Sequence, residues 1–96
     1  MGSPATRLGD MCTGHGCHPP RTNIEASSNT FIEGLGAHRV GDLWQVHCCS
    51  GDCHMGNLAS GSSTVFVNGR QLGRIGDSVD CGSSVATGAS TVIVGG

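Results

Sequence analysis

The 96-residue sequence predicts an all-β fold, a closed ring of three β-hairpin repeats around a pseudo-threefold axis. Three observations lead there. First, no helical period runs anywhere along the chain, and 17 Gly stand among abundant Ser, Thr and Val with no Tyr, two Phe and one Trp. That is the composition of short strands and turns. Second, the stretch Ser62–Asp77 (SSTVFVNGRQLGRIGD) recurs without gaps as Ser27–Asp42 (SSNTFIEGLGAHRVGD). Third, one more copy is divided between the ends of the sequence. Ala89–Gly96 (ASTVIVGG) supplies its first strand and turn, and Pro4–Asp10 (PATRLGD) supplies its second strand and stop. A copy split in this way requires the last strand to pair beside the first, which closes a ring and leaves fewer exposed strand edges. A solenoid would need distinct capping repeats instead.

Taken in order, Pro4–Asp10 is a returning strand ending in a Gly-Asp stop. Met11–Ala26 connects it to the next unit and is read as a loop, stiffened in extended form by Pro19-Pro20. In Ser27–Asp42 the turn falls at Glu33-Gly34. Leu43–Gly61 is read as a second, longer loop. In Ser62–Asp77 the run Val65-Phe66-Val67 is β-branched and aromatic, as strands prefer, and Asn68-Gly69 is the strongest short hairpin signal because both residues tolerate positive φ. Ser78–Gly88 is a third loop, and Val92-Ile93-Val94 with Gly95-Gly96 closes the ring. The whole reads as a single domain over residues 1–96.

Such a chain builds little core. Each apolar strand side chain stabilises by roughly 1.5–3 kcal/mol when fully buried. About eight of them do not comfortably offset the entropy of ordering the backbone. A domain of this kind needs a staple, from disulfides or a metal. Six Cys (12, 17, 48, 49, 53, 81) and five His (15, 18, 38, 47, 54) offer both, and nearly all lie in the connecting segments.

Counting from each Gly-Asp stop, His15 lies five residues after Asp10, His47 five after Asp42, and Cys81 four after Asp77. Each connection thus projects a ligand type from nearly the same place on its unit, and a threefold arrangement brings the three side chains together near the axis. The long second connection adds His54. Three His and one Cys make a tetrahedral zinc set, with bonds of about 2.0–2.1 Å to N and about 2.3 Å to S. Cys17 and His18 could substitute for His15, and Cys48, Cys49 and Cys53 compete with His47 and His54. His38 stands where the other units have Gly73 and Thr6, which argues against a ligand role. Among the remaining cysteines, Cys12 could pair with Cys17, and Cys48 or Cys49 with Cys53.

Asp10, Asp42 and Asp77 resemble a catalytic trio only superficially. Each follows Gly in a turn, three residues after Arg7, Arg39 or Arg74, and is expected to accept backbone N–H bonds and to pair with that Arg. There is no HExxH, Walker loop or helix-opening GxGxxG, and no catalytic residue is assigned. With five Arg, no Lys, no basic run and a net charge of −2, nothing in the chain forms a nucleic-acid footprint. No apolar run is long enough to span a membrane or serve as a signal peptide, so synthesis in the bacterial cytoplasm without a leader is expected.

The motif GSSTVFVNGRQLGRIGD, with PATRLGD near the start and AHRVGD in the middle, resembles the PAAR family. The Pro-Ala-Ala-Arg run itself is degenerate here (PATR, GAHR, QLGR), while the V-x-V-N-G and R-x-G-D elements are intact. The resemblance implies a sharp cone that caps the trimeric β-helical spike of a contractile injection machine, either a phage tail or a type VI secretion system. It implies one chain per trimer, transient contact with the target membrane during puncture, and an apical zinc on His15, His47, His54 and Cys81. Localisation would be the virion tail tip, or secretion through the type VI machine. Two other readings are a small zinc hydrolase, which needs an open coordination position and a nearby general base, and a secreted disulfide-stapled binding module.

Overall fold

The computed structural model describes residues 2–96, and every regular element in them is a β-strand. Eight strands form four two-stranded antiparallel sheets. Three are short pairs of two-residue strands. β2 (Phe31–Ile32) pairs with β3 (Leu35–Gly36), β6 (Phe66–Val67) with β7 (Arg70–Gln71), and β1 (Ser3–Pro4) with β8 (Ile93–Val94). Their registers coincide in the repeat alignment: Phe31 faces Gly36, Phe66 faces Gln71, and Ile93 faces Pro4. The copy divided between the two ends of the sequence therefore pairs in the same register as the other two, although no turn joins its strands. Glu33-Gly34 and Asn68-Gly69 both take positive φ (54° and 83°, 53° and 76°), the turn geometry that matches the twist of a two-residue hairpin.

The ring closes through the returning strands. Isolated bridges join Ala5 to Arg74, Arg39 to Leu72, and Arg7 to Ala37. In each, the position before the central residue of one unit meets the R-x-G-D arginine of another. At the centre, three equivalent residues exchange backbone hydrogen bonds in a cycle. Thr6 N–H donates to Gly73 O (2.9 Å), Gly73 N–H to His38 O (2.9 Å), and His38 N–H to Thr6 O (3.1 Å). Gly73 is required there by close approach, since a Cβ would sit 2.6 Å from Leu58 Cδ2 and 2.8 Å from Thr6 Cγ2.

Each R-x-G-D turn is held as the spacing predicts. Asp10, Asp42 and Asp77 accept from the backbone N–H of Arg7, Arg39 and Arg74 (2.7, 2.9 and 2.8 Å). The same arginines reach both carboxylate oxygens in a bidentate fork. The forks also link units. Arg7 Nη1 pairs with Glu33 at the next hairpin turn (2.6 Å), and Arg39 Nη1 donates to Asn68 Oδ1 (2.9 Å). Arg74 finds only Gly95 at the corresponding place and keeps just the contact Arg7 also makes, to the carbonyl before the repeat: Nη2 donates to Gly61 O (3.3 Å), as Arg7 Nη2 does to Gly88 O (3.4 Å).

Packing falls into two clusters. One lies inside the ring and gathers threefold-related residues: Ile32, Val67 and Val94, with Ala5, Ala37 and Leu72, and Ala89. The other, formed by Cys12, Trp44, Leu58, Val79 and Val85, is built from the connections. Strand alternation sends the neighbouring residues outward, so Phe31, Phe66 and Ile93 are 61%, 55% and 58% exposed. The sequence-level sum of buried strand side chains must therefore be reduced, because the two largest apolar residues of the hairpins add nothing to this core. No helix among the described residues is long and apolar enough to cross a membrane.

The connection Leu43–Gly61 departs from expectation. It is not a loop but the longest hairpin of the chain, β4 (Leu43–Cys49) with β5 (Asp52–Asn57). Ser50 (φ 51°) and Gly51 (φ 83°) make its turn. The connections Met11–Ala26 and Ser78–Gly88 are irregular and are tied in by isolated bridges, Met11 to Thr22, Cys12 to Val85 and Ser78 to Ser84.

Candidate metal centre

The β4–β5 hairpin places two histidines side by side. Symmetry about the Ser50-Gly51 turn puts His47 opposite His54, Cys48 opposite Cys53 and Cys49 opposite Asp52. Directly opposed residues share one face of the sheet. A register shift between Trp44 and His47 adds one residue to β4 there. Three positions apart, Trp44 and His47 would face opposite sides of a regular strand; with the bulge both are buried, at 0% and 4% exposure. Trp44 fills the core beneath, and His47 points to the same side above it.

His15 comes from the first connection. It sits in a tight turn in which His15 and His18 exchange backbone hydrogen bonds (3.1 and 2.9 Å). Its Nε2 lies 3.2 Å from His47 Nε2 and 2.9 Å from His54 Nε2, and the latter two are 2.7 Å apart. Cys81 from the third connection completes the group, and one ligand atom from each of the four residues lies within 4.8 Å of the others. His15, His47 and Cys81, singled out by repeat position, and His54, added from the long second connection, are thus brought together.

Three ring nitrogens in mutual contact pose a problem that protons do not solve, since one N–H satisfies one pair and leaves the third nitrogen facing a lone pair. A cation at the centre satisfies all three. A tetrahedral ion with bonds of about 2.0–2.1 Å separates its nitrogens by about 3.3–3.4 Å, a few tenths beyond the spacing here. Tautomers are set for this role. His47 Nδ1 donates to Pro19 O (2.9 Å), which leaves Nε2 unprotonated and aimed at the cluster. Burial, and then the adjacent imidazoles, hold His15 below the usual histidine pKa. Burial lowers His47 likewise, against a raising effect from the Pro19 carbonyl. Neutral imidazoles are the form that metals bind. The donor set fits a metal ion.

The competitors are disposed of elsewhere. Cys17 pairs with Cys49, and Cys48 with Cys53, as disulfides with Cα–Cα separations of 5.5 and 4.1 Å. Those four sulfurs are removed from ligation, and the expected alternative of Cys12 with Cys17 is not formed. Cys12 and Cys81 are the free thiols. His18 stacks on His15 (4.6 Å between centroids), but its Nε2 faces Asp52 O at 3.0 Å and Asp52 Oδ2 at 3.2 Å. His18, Asp52 and His54 form a second grouping that shares His54 with the first. With His54 Nε2 turned inward, Asp52 lies on the Nδ1 side of the ring (3.9 Å). His38 is buried in the ring, donating through Nδ1 to Glu25 O (2.7 Å), well apart in role from the cluster.

Sequence reasoning did not find Arg21. It is 4% exposed, and its guanidinium lies against Cys81 Sγ (3.3 Å) and Cys12 Sγ (3.2 Å). The available signal was an arginine inside a Cys- and His-rich connection, outside any R-x-G-D turn.

A ring of three repeats within one chain, with a metal-type cluster assembled from the connections between them, defines a class of small β proteins in which the repeats make the frame and the variable segments make the site. The sequence model of the PAAR motif family matches residues 13–87, and the chain belongs to that family. Two relatives in Pseudomonas aeruginosa are each 28% identical over 79 residues. They are the NAD(P)(+) glycohydrolase toxin Tse6 of strain PAO1 and the (p)ppApp synthetase toxin Tas1 of strain UCBPP-PA14. The match takes in 76% of this chain but only 18% of either relative.

Proposed function

We propose that residues 1–96 form a structural spike tip, which caps the trimeric β-helical spike of a type VI secretion machine and is carried with it into the target membrane. The observation that carries this reading is the threefold ring, with its equivalent exposed residues Phe31, Phe66 and Ile93. One chain offers three copies of a single apolar contact, which is what the blunt end of a three-chain spike would receive. Membership of the PAAR family supports the same partner. Likeness to segments of two named toxins favours the secretion machine over a phage tail, since a tip delivered with a toxin has use in the former.

In this reading His15, His47, His54 and Cys81 hold one zinc ion, and the protein is not itself an enzyme. Four protein ligands make a closed, structural site. What a bound zinc supplies is a cross-link among all three connections, worth roughly 10–16 kcal/mol apparent in small peptides. The chain's own residues do the rest. The R-x-G-D forks fix where each connection leaves the ring, the β4 bulge aims His47, and the disulfides hold the first connection to the hairpin.

Co-expression with a trimeric spike fragment from the same genome tests the proposal. Light scattering on the purified complex is expected to give one chain per trimer, and Phe66→Asp to weaken binding at least about tenfold by placing a charge in an apolar contact. A chain that binds no spike of its own genome would sink the reading.

A further inference from the structure

We infer that Arg21 is a positioning residue that holds the Cys81 sulfur in place for the metal; this rests on the metal reading above. Arg21 differs from the other four arginines. Arg7, Arg39, Arg70 and Arg74 all pair with carboxylates. Among the described residues no carboxylate lies in ion-pair range of Arg21, although it is nearly fully buried. A buried cation without an anion is unfavourable. What faces it instead is sulfur. Nη2–H donates to Cys81 Sγ (3.3 Å), and Nη1–H to Cys12 Sγ (3.2 Å) and Ser83 Oγ (3.4 Å). Both free thiols of the described residues lie on this one guanidinium.

The fork is itself firmly held. Nε–H donates to Gln45 O on β4 (2.6 Å), and the guanidinium carbon lies 5.8 Å from the centre of the Trp44 ring. Its backbone carbonyl accepts from Cys12 N–H (2.9 Å), and Pro19-Pro20 precede it. One side chain therefore spans all three connections. The histidine ligands are placed by other means: the hairpin register fixes His47 and His54, and the Cys17–Cys49 disulfide brings the His15 turn onto that hairpin. For the Cys81 sulfur, the polar contacts are Arg21 and a longer one to Ser83 Oγ (3.7 Å). A planar, permanently charged donor suits a thiolate ligand. It fixes the direction of the sulfur and draws electron density from it, which tunes a metal–sulfur bond from outside.

The test uses the full chain loaded with Co(II), whose sulfur-to-metal charge-transfer band reports on the Cys81 sulfur directly. In wild type the band is expected, and it should vanish in Cys81→Ser. In Arg21→Gln it should move to longer wavelength, because a sulfur without the hydrogen bond gives up charge more easily, and Co(II) affinity should fall about 10–100-fold. Arg21→Lys keeps the charge but not the fork, so its band should lie between the two. It also carries the test alone should Arg21→Gln fail to fold. A residue with a merely architectural role would alter the melting temperature and leave the band where it was. An unshifted band with wild-type affinity in the folded variant overturns the inference while leaving the metal reading intact. A wild-type chain with no charge-transfer band overturns both.

Discussion

Asp42 is the most crowded of the three turn carboxylates. It is fully buried and accepts the Arg39 fork, and it also pairs with Arg70 from the neighbouring unit. Burial raises its pKa, but the hydrogen bonds from the Arg39 side chain and backbone outweigh that and hold the carboxyl below its ordinary value. Asp42→Asn is therefore expected to lower stability by about 3 kcal/mol, since removing one partner strands the other charges. Asp77→Asn, with a single arginine, should cost less, and urea titration of both variants checks the order. His38 behaves oppositely in charge. Burial keeps it neutral, with its pKa lowered from the usual 6.5. The unfolded chain takes up this proton as pH falls below about 6.5, while the folded chain resists until the lowered value. Stability is thus full above about pH 6.5 and declines as pH falls from there toward the lowered value. In chelator-treated protein, melting temperatures between pH 5 and 8 should show this slope, and His38→Gln should reduce it to the part carried by His15 and His47, whose pKa values are lowered too; an unchanged slope would remove the assignment. The Arg–Asp forks were legible because both partners lie within one turn. Arg21 was not, because its partners come from segments up to 62 positions away, and nothing local marks them.

Among the elements, the repeated strand pairs could be read directly, since Asn68-Gly69 marked the turn of one copy and Glu33-Gly34 and Gly95-Gly96 stood at the same offset in the others. The β4–β5 hairpin could not be read from alternation, because the bulge breaks the two-residue period just where the pattern mattered. Its signal was of another sort. The run His47-Cys48-Cys49-Ser50-Gly51-Asp52-Cys53-His54 is nearly palindromic about Ser-Gly, and that symmetry places His on His and Cys on Cys. The same hairpin receives both disulfides, and they differ in reach. Cys17–Cys49 joins segments 32 positions apart, whereas Cys48–Cys53 closes only five. On chain entropy, Cys49→Ser should lower stability by about 2–4 kcal/mol and Cys53→Ser by less. Denaturant titrations in non-reducing buffer, with peptide mapping of the pairs, measure both. Equal midpoints with and without reductant in wild type would show that these bonds do not brace the fold.

For the molecule as a whole, the division of labour between ring and connections explains what composition alone left open. Few apolar residues are spent inside, and ten large ones among the described residues, from Leu8 to Ile93, remain exposed. The ring is instead tied by repeated polar contacts between units, so its specificity comes from register more than from core volume. One consequence concerns rotational registry. The three equivalent exposed residues Phe31, Phe66 and Ile93 surround an axis about which the connections are asymmetric, with His15, the long hairpin and Cys81 all different. On any partner with true threefold symmetry, turning this chain by a third of a revolution returns the same complex. Three seatings are then degenerate and favour association by about 0.65 kcal/mol through statistics alone. The His and Cys cluster would consequently carry no fixed azimuth relative to such a partner.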